Sequence, residues 1–381
     1  MIDPSISEIL SRETSRQEKY IQLIASENFA SQTVMDLTGS VFTNKYAEGL
    51  PGKRFYNGCQ FMDDIERLAI DYATRLFGCQ FANVQPHSGA NANLAVFKAF
   101  LKPGDTVLGM DLANGGHLSH GSHVNLSGAW FNSVKYMLDE HGTIDYAEVE
   151  RLALEHKPSM IIAGASAYSK IIDWKFFRTI ADKVGAIFLA DMSHYSGLIA
   201  GGAYPTPLQY ADIVTSTTHK TLRGPRGGLI LWNKEEYSSK INNAVFPGTQ
   251  GGPLMHVIAA KAQCFHEAMN KEFVSYAKNV VNNAKAMVDE FKKAGVNIVS
   301  DGTDCHMFTI DLGIEKYSGR EYAGLLETEY IVVNKNAVPG EIRSFVETSG
   351  VRIGTAAETT RGHDEQWFRD LAVRMVDLLR K

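Results

Sequence analysis

Between about residues 91 and 232 the chain alternates short apolar runs with amphipathic stretches, and this alternation limits the available folds more than any other feature. The apolar runs predict strands at 106–110, 160–166, 186–192, 212–216 and 228–232. Nearly continuous apolar runs are typical of strands that are buried on both faces of a parallel sheet, with helices covering those faces. We therefore predict an α/β fold with a mostly parallel central sheet flanked by helices.

Several of the amphipathic stretches have recognisable helix ends. Asp145, with Glu148 three residues later, predicts a capping box for a helix over 146–156. Asp173 and Gly185 would begin and end a helix over 174–184. The remaining patterns predict helices over 6–22, 60–77, 91–101, 253–268, 270–294 and 364–380, and strands within 297–313 and 329–335.

The length of 381 residues exceeds what one hydrophobic core usually spans, so we expect about two domains. After residue 268 helices and strands are segregated along the chain, which is typical of an α+β unit. We place an N-terminal helical arm at 1–45, a large α/β domain that binds the cofactor inferred below at 46–268, and a small C-terminal α+β domain at 269–381.

Composition excludes several classes of protein. A formal net charge of -5 provides no general basic field for a nucleic acid. The longest apolar run, about 160–167, is far shorter than the roughly 20 residues that span a bilayer, and no signal peptide is expected. The four cysteines are widely separated and form no C-x-x-C pair, which favours a reducing compartment. We expect a cytoplasmic protein that has neither nucleic acid nor membrane as its partner.

A carboxylate and an amine follow neighbouring strands of the predicted sheet, Asp191 and Lys220. In open parallel sheets, ligands bind beyond the carboxyl ends of the strands. Taken singly, the aspartate is as often a turn or cap residue, and the lysine is more often a solvated surface residue. A desolvated lysine can form a Schiff base, and a carboxylate can keep a pyridine nitrogen protonated. The pair therefore favours a carbonyl cofactor with a pyridine ring.

Ser88, Gly89 and Ala90 begin a predicted helix, where unpaired N–H groups form a cradle for a phosphate. The sequence has neither G-x-G-x-x-G nor a P-loop motif, which disfavours dinucleotides and nucleoside triphosphates. His117, His120 and His123 recur every third residue, but the glycines among them indicate a loop, and no carboxylate or cysteine accompanies them at ligand spacing. We predict no metal there and favour an imidazole that stacks on the cofactor ring.

A series of ordered motifs extends from about residue 17 to residue 362. They are Leu23-Ile-Ala-Ser-Glu-Asn28, Thr43-Asn-Lys-Tyr-Ala-Glu-Gly49, Pro51-Gly-Lys-Arg54, Val84-Gln-Pro-His-Ser-Gly89, Gly115-Gly-His-Leu118, Ser166-Ala-Tyr-Ser169, Thr217-Thr-His-Lys-Thr-Leu-Arg-Gly-Pro-Arg-Gly-Gly228, Phe246-Pro-Gly, Gln250-Gly-Gly-Pro253 and Ser349-Gly-Val-Arg-Ile-Gly-Thr355. Through these motifs the chain resembles the serine hydroxymethyltransferase family, whose members are fold-type I pyridoxal-phosphate enzymes.

The resemblance implies that pyridoxal 5'-phosphate is bound as a Schiff base to Lys220. Asp191 would bind the pyridine nitrogen and His117 would stack on the ring, while Ser166 and His194 would contact the phenolic oxygen or the substrate. The other implied cofactor-binding residues are those near the phosphate and the lysine: Ser88, Gly89, Ala90, Thr217, His219, Arg226, Tyr46 and, from a neighbouring subunit, Gly252.

The resemblance also implies the substrates. Arg352, with Ser26, would clamp the substrate carboxylate, and Glu48 would act as the acid or base near the serine hydroxyl. Lys220, Glu48, Tyr56 and His219 would form the catalytic group, with Tyr46 and Tyr56 lining the site across a dimer. The residues implied near the folate are Leu112, Leu118, Phe246 and Asn336.

The implied reaction interconverts serine plus tetrahydrofolate with glycine plus 5,10-methylenetetrahydrofolate, a step of one-carbon metabolism and glycine biosynthesis. A homodimer or tetramer with shared active sites would carry it out.

Several positions depart from the family's usual pattern. Ser193 replaces an alanine beside the ring, Asn114 stands where bacterial relatives often have a histidine, Ala356 replaces a proline ahead of Glu358, and the segment 344–348 has a changed order. These departures leave open two relatives of the same scaffold: an α-methylserine hydroxymethyltransferase, and a folate-independent L-threonine aldolase or transaldolase. A non-catalytic protein that kept the fold is a third alternative, against which the intact catalytic residues argue.

Overall fold

The computed structural model describes residues 2–380. Its helices are α1 (Pro4–Lys19), α2 (Gln32–Thr38), α3 (Gln60–Phe77), α4 (Gly89–Phe100), α5 (Leu126–Trp130), α6 (Tyr146–His156), α7 (Trp174–Val184), α8 (Ser196–Ala200), α9 (Ser238–Val245), α10 (Met255–Ala268), α11 (Lys271–Lys293), α12 (Gly319–Thr328), α13 (Ala356–Thr360) and α14 (Glu365–Arg380).

The strands are mostly short. They are β1 (Ile21–Gln22), β2 (Gly49–Leu50), β3 (Lys53–Arg54), β4 (Phe81–Asn83), β5 (Thr106–Met110), β6 (Asn132–Tyr136), β7 (Met160–Ala163), β8 (Ile187–Asp191), β9 (Ile213–Thr217), β10 (Gly228–Trp232), β11 (Asn297–Ile298), β12 (Met307–Asp311), β13 (Ile331–Val332), β14 (Asn334–Asn336) and β15 (Gly350–Gly354).

Seven strands form the central sheet in the order β4-β10-β9-β8-β7-β5-β6. The neighbouring strands β9, β8, β7, β5 and β6 are all parallel to one another, whereas β10 runs antiparallel to both β9 and β4. This arrangement confirms the predicted α/β fold with a mostly parallel sheet. All five strand predictions in the central region are confirmed, with ends that differ by up to three residues.

The two faces of the sheet bury alternate residues of the same strands, because successive side chains in a strand point in opposite directions. Ile162, Leu189 and Ile213 pack on one face in a core that includes residues of α4 and α9. Phe188 and Val214 belong to a larger core on the other face. Burial on both faces explains the nearly continuous apolar runs.

The predicted helix ends are confirmed for α6 and α7. Asp173 accepts a hydrogen bond from the Phe176 N–H, and α7 ends at Gly185, whose φ of 71° suits the left-handed conformation of a C-cap. Asp145 caps α6 through the Glu148 N–H. The capping-box prediction is wrong in its second half, because the Glu148 carboxylate pairs with Arg151 instead.

The C-terminal part contains a four-stranded antiparallel sheet in the order β11-β12-β15-β14, with α11 and α12 against it and α14 packed on α11. Its core also includes Leu23, and β1 pairs in parallel with β13. The predicted boundary at 268 and 269 falls between α10 and α11. Within residues 2–380, no helix combines the length and apolar character needed to cross a membrane.

Candidate active site

A cavity of about 550 Å³ lies at the carboxyl ends of the parallel strands. Asp191 is the last residue of β8, Thr217 is the last residue of β9, and Ser166 follows β7. The strand order therefore brings together groups that are far apart in sequence. They lie beyond the carboxyl ends of the parallel strands, where ligands of such sheets bind. The cavity is lined by thirteen of the site residues predicted from the sequence: Ser26, Ser88, Gly89, Ala90, His117, Ser166, Asp191, His194, Thr217, His219, Lys220, Arg226 and Arg352.

Asp191 is a buried carboxylate whose two oxygens are both hydrogen-bonded. Oδ2 accepts from Asn93 Nδ2 and pairs with His120 Nε2, each at 2.9 Å, while Oδ1 accepts from Ser193 Oγ at 2.6 Å. Burial alone would raise the pKa of Asp191. The hydrogen bond and charge of His120, the charge of His117 and the hydrogen bond from Ser193 together hold this pKa well below its usual range. The carboxylate is therefore ionised and fixed in orientation at neutral pH.

Lys220 is the buried amine of the cavity. Burial, together with the positive charges of Arg352 and Arg226, lowers its pKa to about 8, and the charge of Asp191 opposes this shift. A lysine in such a setting is present partly as the free amine near neutral pH, which is the nucleophilic form.

The N-terminus of α4 forms one end of the cavity. Ser88 is its N-cap and accepts a hydrogen bond from the Asn91 N–H at 3.2 Å. A Cβ on Gly89 would lie 2.7 Å from Thr217 Cγ2, so only glycine allows the helix to approach β9 this closely. The first N–H groups of a helix have no intrahelical partner. Gly89 and Ala90, at the start of α4, line a cavity that is also lined by Arg226. This end of the cavity suits an anion such as a phosphate.

Three histidines of the cavity are held in the neutral form by their surroundings. Burial lowers the pKa of His117 to about 4 and that of His219 to about 3, and it lowers the pKa of His194 well below its ordinary value with the help of the Lys220 charge. His194 Nδ1 lies 3.2 Å from Nε2 of the buried His306. Neutral imidazoles can stack on a ring or exchange hydrogen bonds without adding charge.

Arg352 is buried, and burial lowers its pKa to about 10. Its Nη1 donates to the Ser166 carbonyl at 2.6 Å, and its Nε donates to Asn334 Oδ1 at 3.0 Å. Across residues 2–380, no carboxylate lies within salt-bridge distance of this guanidinium. A buried cation in this position calls for an anionic partner from outside the chain.

Four predicted site residues lie together but do not line this cavity. We call Tyr46, Glu48, Tyr56 and Gly252 the Tyr46 cluster. The Tyr46 hydroxyl donates to Glu48 Oε1 at 3.3 Å, and its ring packs edge-on against the Tyr56 ring. The negative charge of Glu48 raises the pKa of Tyr56, and a Cβ on Gly252 would lie 3.0 Å from Tyr46 Cζ. The two tyrosine rings are about half exposed.

The four residues predicted near the folate also lie outside the lining of the cavity. Leu112 and Leu118 are exposed on the loop that carries His117, and Phe246 packs against Phe55 with ring centroids 5.5 Å apart. Asn336 donates its amide to the Ala337 carbonyl. A folate role for these four residues remains a prediction.

The residues that depart from the family pattern have definite contacts. Ser193 bonds to Asp191, as described above. Glu358 is buried and accepts from the Gln22 N–H and from Arg361, so its charge is neutralised away from Arg352. Glu347 accepts from Ser318 Oγ at 2.8 Å. Asn114 accepts from the Leu138 N–H through its side chain.

Sequence reasoning missed several residues that complete the site. His120 and Glu27 line the cavity, and Asn93 and Asn334 hold Asp191 and Arg352 in place. In the sequence, His120 stands out only as one of three histidines at intervals of three residues. Its spacing contains no sign that it would contact an aspartate 71 residues later, because that contact depends on the order of strands in the sheet.

Comparison with known proteins places the chain in a family. The family model described as serine hydroxymethyltransferase matches residues 1–375. The chain belongs to the serine hydroxymethyltransferase family. Curated relatives named serine hydroxymethyltransferase from the Acinetobacter baumannii strains ATCC 17978, AYE and ACICU are each 56% identical to it over 379 residues, which is 99% of this chain and 91% of each relative.

Membership of the family confirms the resemblance read from the motifs and the fold-type I assignment. It supports a transferase of the serine hydroxymethyltransferase kind. The names of these relatives give no support to the alternatives of an α-methylserine hydroxymethyltransferase, a threonine aldolase or a transaldolase.

Proposed function

We propose that the protein is a pyridoxal-phosphate-dependent glycine hydroxymethyltransferase that interconverts serine plus tetrahydrofolate with glycine plus 5,10-methylenetetrahydrofolate. The observation that carries this proposal is the juxtaposition of a buried lysine, a buried ionised aspartate and a buried arginine without a carboxylate partner around one cavity. An amino acid and a phosphorylated pyridine aldehyde together require all three groups.

The residues present fit pyridoxal phosphate. The anion site at the N-terminus of α4 suits its phosphate, Asp191 suits its pyridine nitrogen, and the neutral ring of His117 suits its face. Lys220 would hold it covalently through Nζ. Bound pyridoxal phosphate supplies an electron sink that weakens the bonds at the substrate Cα. A cavity of about 550 Å³ is of the size that small-molecule sites usually have.

The side chains of the chain would bind, orient and exchange protons. Arg352 would hold the substrate carboxylate through its planar fork, kept in position by Asn334 and the Ser166 carbonyl. Lys220, whose pKa of about 8 leaves part of it as the free amine near neutral pH, would be able to form the covalent bond with the cofactor aldehyde. Asp191 stays ionised and so favours a proton on the pyridine nitrogen.

Glu48 is the group we assign to proton transfer at the serine hydroxyl, and it would act from a second subunit. The Tyr46 cluster lies outside the cavity of its own chain, with exposed aromatic rings. Helix α1 has no buried residue and exposes Ile6, Ile9 and Leu10. Contiguous exposed apolar groups of this kind mark association surfaces. We therefore assign a homodimer, alone or within a tetramer, whose subunits share their active sites.

We also propose a cytoplasmic location and a role in one-carbon metabolism and glycine biosynthesis. The four cysteines are all free, and three of them are buried. Free thiols are typical of reducing compartments.

The test is glycine formation from serine labelled at its hydroxymethyl carbon, with and without tetrahydrofolate. We expect label to appear in the folate product in an amount equal to the glycine formed, and we expect turnover to depend on folate. Folate-independent cleavage of threonine at a comparable rate, with no labelled folate, would contradict the proposal.

A further inference from the structure

Lys261 is a fully buried lysine on α10 that does not line the cavity. Its Nζ donates hydrogen bonds to three main-chain carbonyls, those of Val84 at 2.6 Å, Pro86 at 3.0 Å and Gly228 at 2.8 Å. An ammonium group has three N–H donors, so the three carbonyl acceptors match the charged form of this lysine.

The three carbonyls belong to segments that shape the anion end of the cavity. Residues 84–87 lead directly into Ser88 and the N-terminus of α4, and Gly228 begins β10. The Gly228 N–H also donates to the Pro86 carbonyl at 2.9 Å, which joins the two segments. Lys261 thus connects the loop before α4 to the first residue of β10 in the central sheet.

Gln250 also holds this loop. Its Oε1 accepts from the His87 N–H, and its Nε2 donates to the Gln85 carbonyl, each at 3.0 Å. The polar main-chain groups of residues 84–87 are therefore fixed by two side chains from distant parts of the sequence. A loop fixed in this way presents the first N–H groups of α4 in one arrangement.

The charge of Lys261 also reaches the cavity. Burial lowers its own pKa to about 7, while the charge of Glu66 opposes this shift. The three carbonyl acceptors also favour the protonated form. Burial is the main cause that lowers the pKa of His87 in this loop, and the charge of Lys261 adds to it. For His219 in the cavity lining, Lys261 contributes less than burial and the charges of Arg226 and Lys220. The positive charge of Lys261 therefore acts on residues close to the anion end of the cavity.

We propose that Lys261 is a positioning residue for the phosphate of the bound cofactor: it fixes the loop before α4 and adds a buried positive charge behind the anion end of the cavity. This inference rests on the proposed function, because it concerns one part of pyridoxal phosphate. It predicts that Lys261 matters for ligands that carry the phosphate and not for those that lack it.

The experiment compares pyridoxal 5'-phosphate with pyridoxal, which lacks the phosphate, as ligands of the cofactor-free full-length protein. In Lys261→Met, we expect the dissociation constant of pyridoxal phosphate to rise about tenfold or more, the equivalent of one charge-assisted hydrogen bond. The dissociation constant of pyridoxal should stay within about twofold of the wild-type value. Absorbance and tryptophan fluorescence report both constants, and thermal unfolding reports stability.

Two further variants complete the test: one displaces Lys261, and the other is a control at a different lysine. A Cβ in Gly227→Ala would lie 2.4 Å from Lys261 Cε, so this variant displaces the lysine without removing its charge. It should produce a smaller loss in the same direction, and it carries the test if Lys261→Met does not fold. Lys234→Met is the matched control, because Lys234 bonds to the buried Asp212 at 2.7 Å, beyond the far end of β10. It should leave the ratio of the two constants unchanged.

Equal losses for pyridoxal phosphate and pyridoxal in the variants would overturn the proposal and leave Lys261 a purely structural residue. Unchanged constants for both ligands would overturn it as well. If the wild-type protein bound neither ligand, the proposed function itself would fail, which is a result distinct from either of these.

Discussion

Replacing Arg352 with lysine tests the role assigned to the buried guanidinium. The arginine presents a planar fork that is held by Asn334 and by the Ser166 carbonyl, and no carboxylate within the described chain neutralises it. The Arg352→Lys variant would keep the positive charge but lose the second donor and both of the contacts that orient the group. Substrate binding should therefore weaken while the cofactor site remains formed.

The size of the effect follows from the number of hydrogen bonds. A hydrogen bond to a charged group contributes about 1.5–3 kcal/mol, and the lysine variant retains one of the two bonds of a bidentate clamp. Loss of the other bond raises the dissociation constant of glycine about 10- to 150-fold. Asn334→Ala, which leaves the guanidinium but removes one of its supports, should weaken glycine binding less than the lysine variant does.

The assay is a titration of the cofactor-loaded protein with glycine, followed by visible absorbance. Ethanolamine, which has an amine but no carboxylate, is the matched ligand, and its binding should be unchanged in Arg352→Lys. Arg361→Lys is the control variant, because Arg361 pairs with Glu358 outside the cavity. A glycine constant within about threefold of the wild-type value, or an equal loss for ethanolamine, would refute the reasoning.

Three further predictions concern assembly and stability. Mixing Lys220→Ala subunits with Glu48→Gln subunits should restore roughly a quarter of the wild-type activity. Random pairing makes half of the dimers mixed, and each mixed dimer has one intact site out of two. If the mixture is no more active than either variant alone, Glu48 acts within its own chain. Ile9→Glu should weaken the dimer in sedimentation experiments, and an unchanged association constant would exclude α1 from the interface. Hydrogen bonds from Lys234, the Phe188 N–H and Arg178 outweigh burial and lower the pKa of Asp212, so its stabilisation is present above its ordinary pKa of 3.8 and is lost as the pH falls through and below that value. Asp212→Asn should cost about 3 kcal/mol in urea unfolding at pH 7, and this cost should decrease progressively as the pH is lowered below 3.8. A cost that does not depend on pH would contradict this origin.

The central sheet was predictable because its strands are apolar on both faces. The strand at Met160 ends before the predicted residue 166, because Gly164 adopts a φ of 142° and lies against the Asp191 backbone. The edge strands Phe81–Asn83 and Asn132–Tyr136 escaped prediction for different reasons: the first has only three residues, and the second contains polar residues and is mostly not buried. Edge strands need less burial, so the pattern that identifies central strands is absent from them.

The candidate site was only partly predictable. Motifs and strand ends identified Asp191, Lys220 and the cradle at the start of α4, and the structure brings these groups together. The partners that orient them, such as His120 and Asn334, depend on strand order and register, which local sequence does not encode. The separation of the Tyr46 cluster from the cavity likewise could not be predicted, because it depends on the fold and not on the local sequence.

Borohydride reduction of the protein loaded with pyridoxal phosphate, followed by digestion and mass spectrometry, tests the central claim most directly. Reduction fixes the cofactor to the amine that holds it. We predict a single pyridoxyl group on the peptide that contains Lys220, and no modification of that site in Lys220→Ala. A pyridoxyl group on another lysine, or no stoichiometric modification at all, would contradict the assignment of this cavity as the cofactor site.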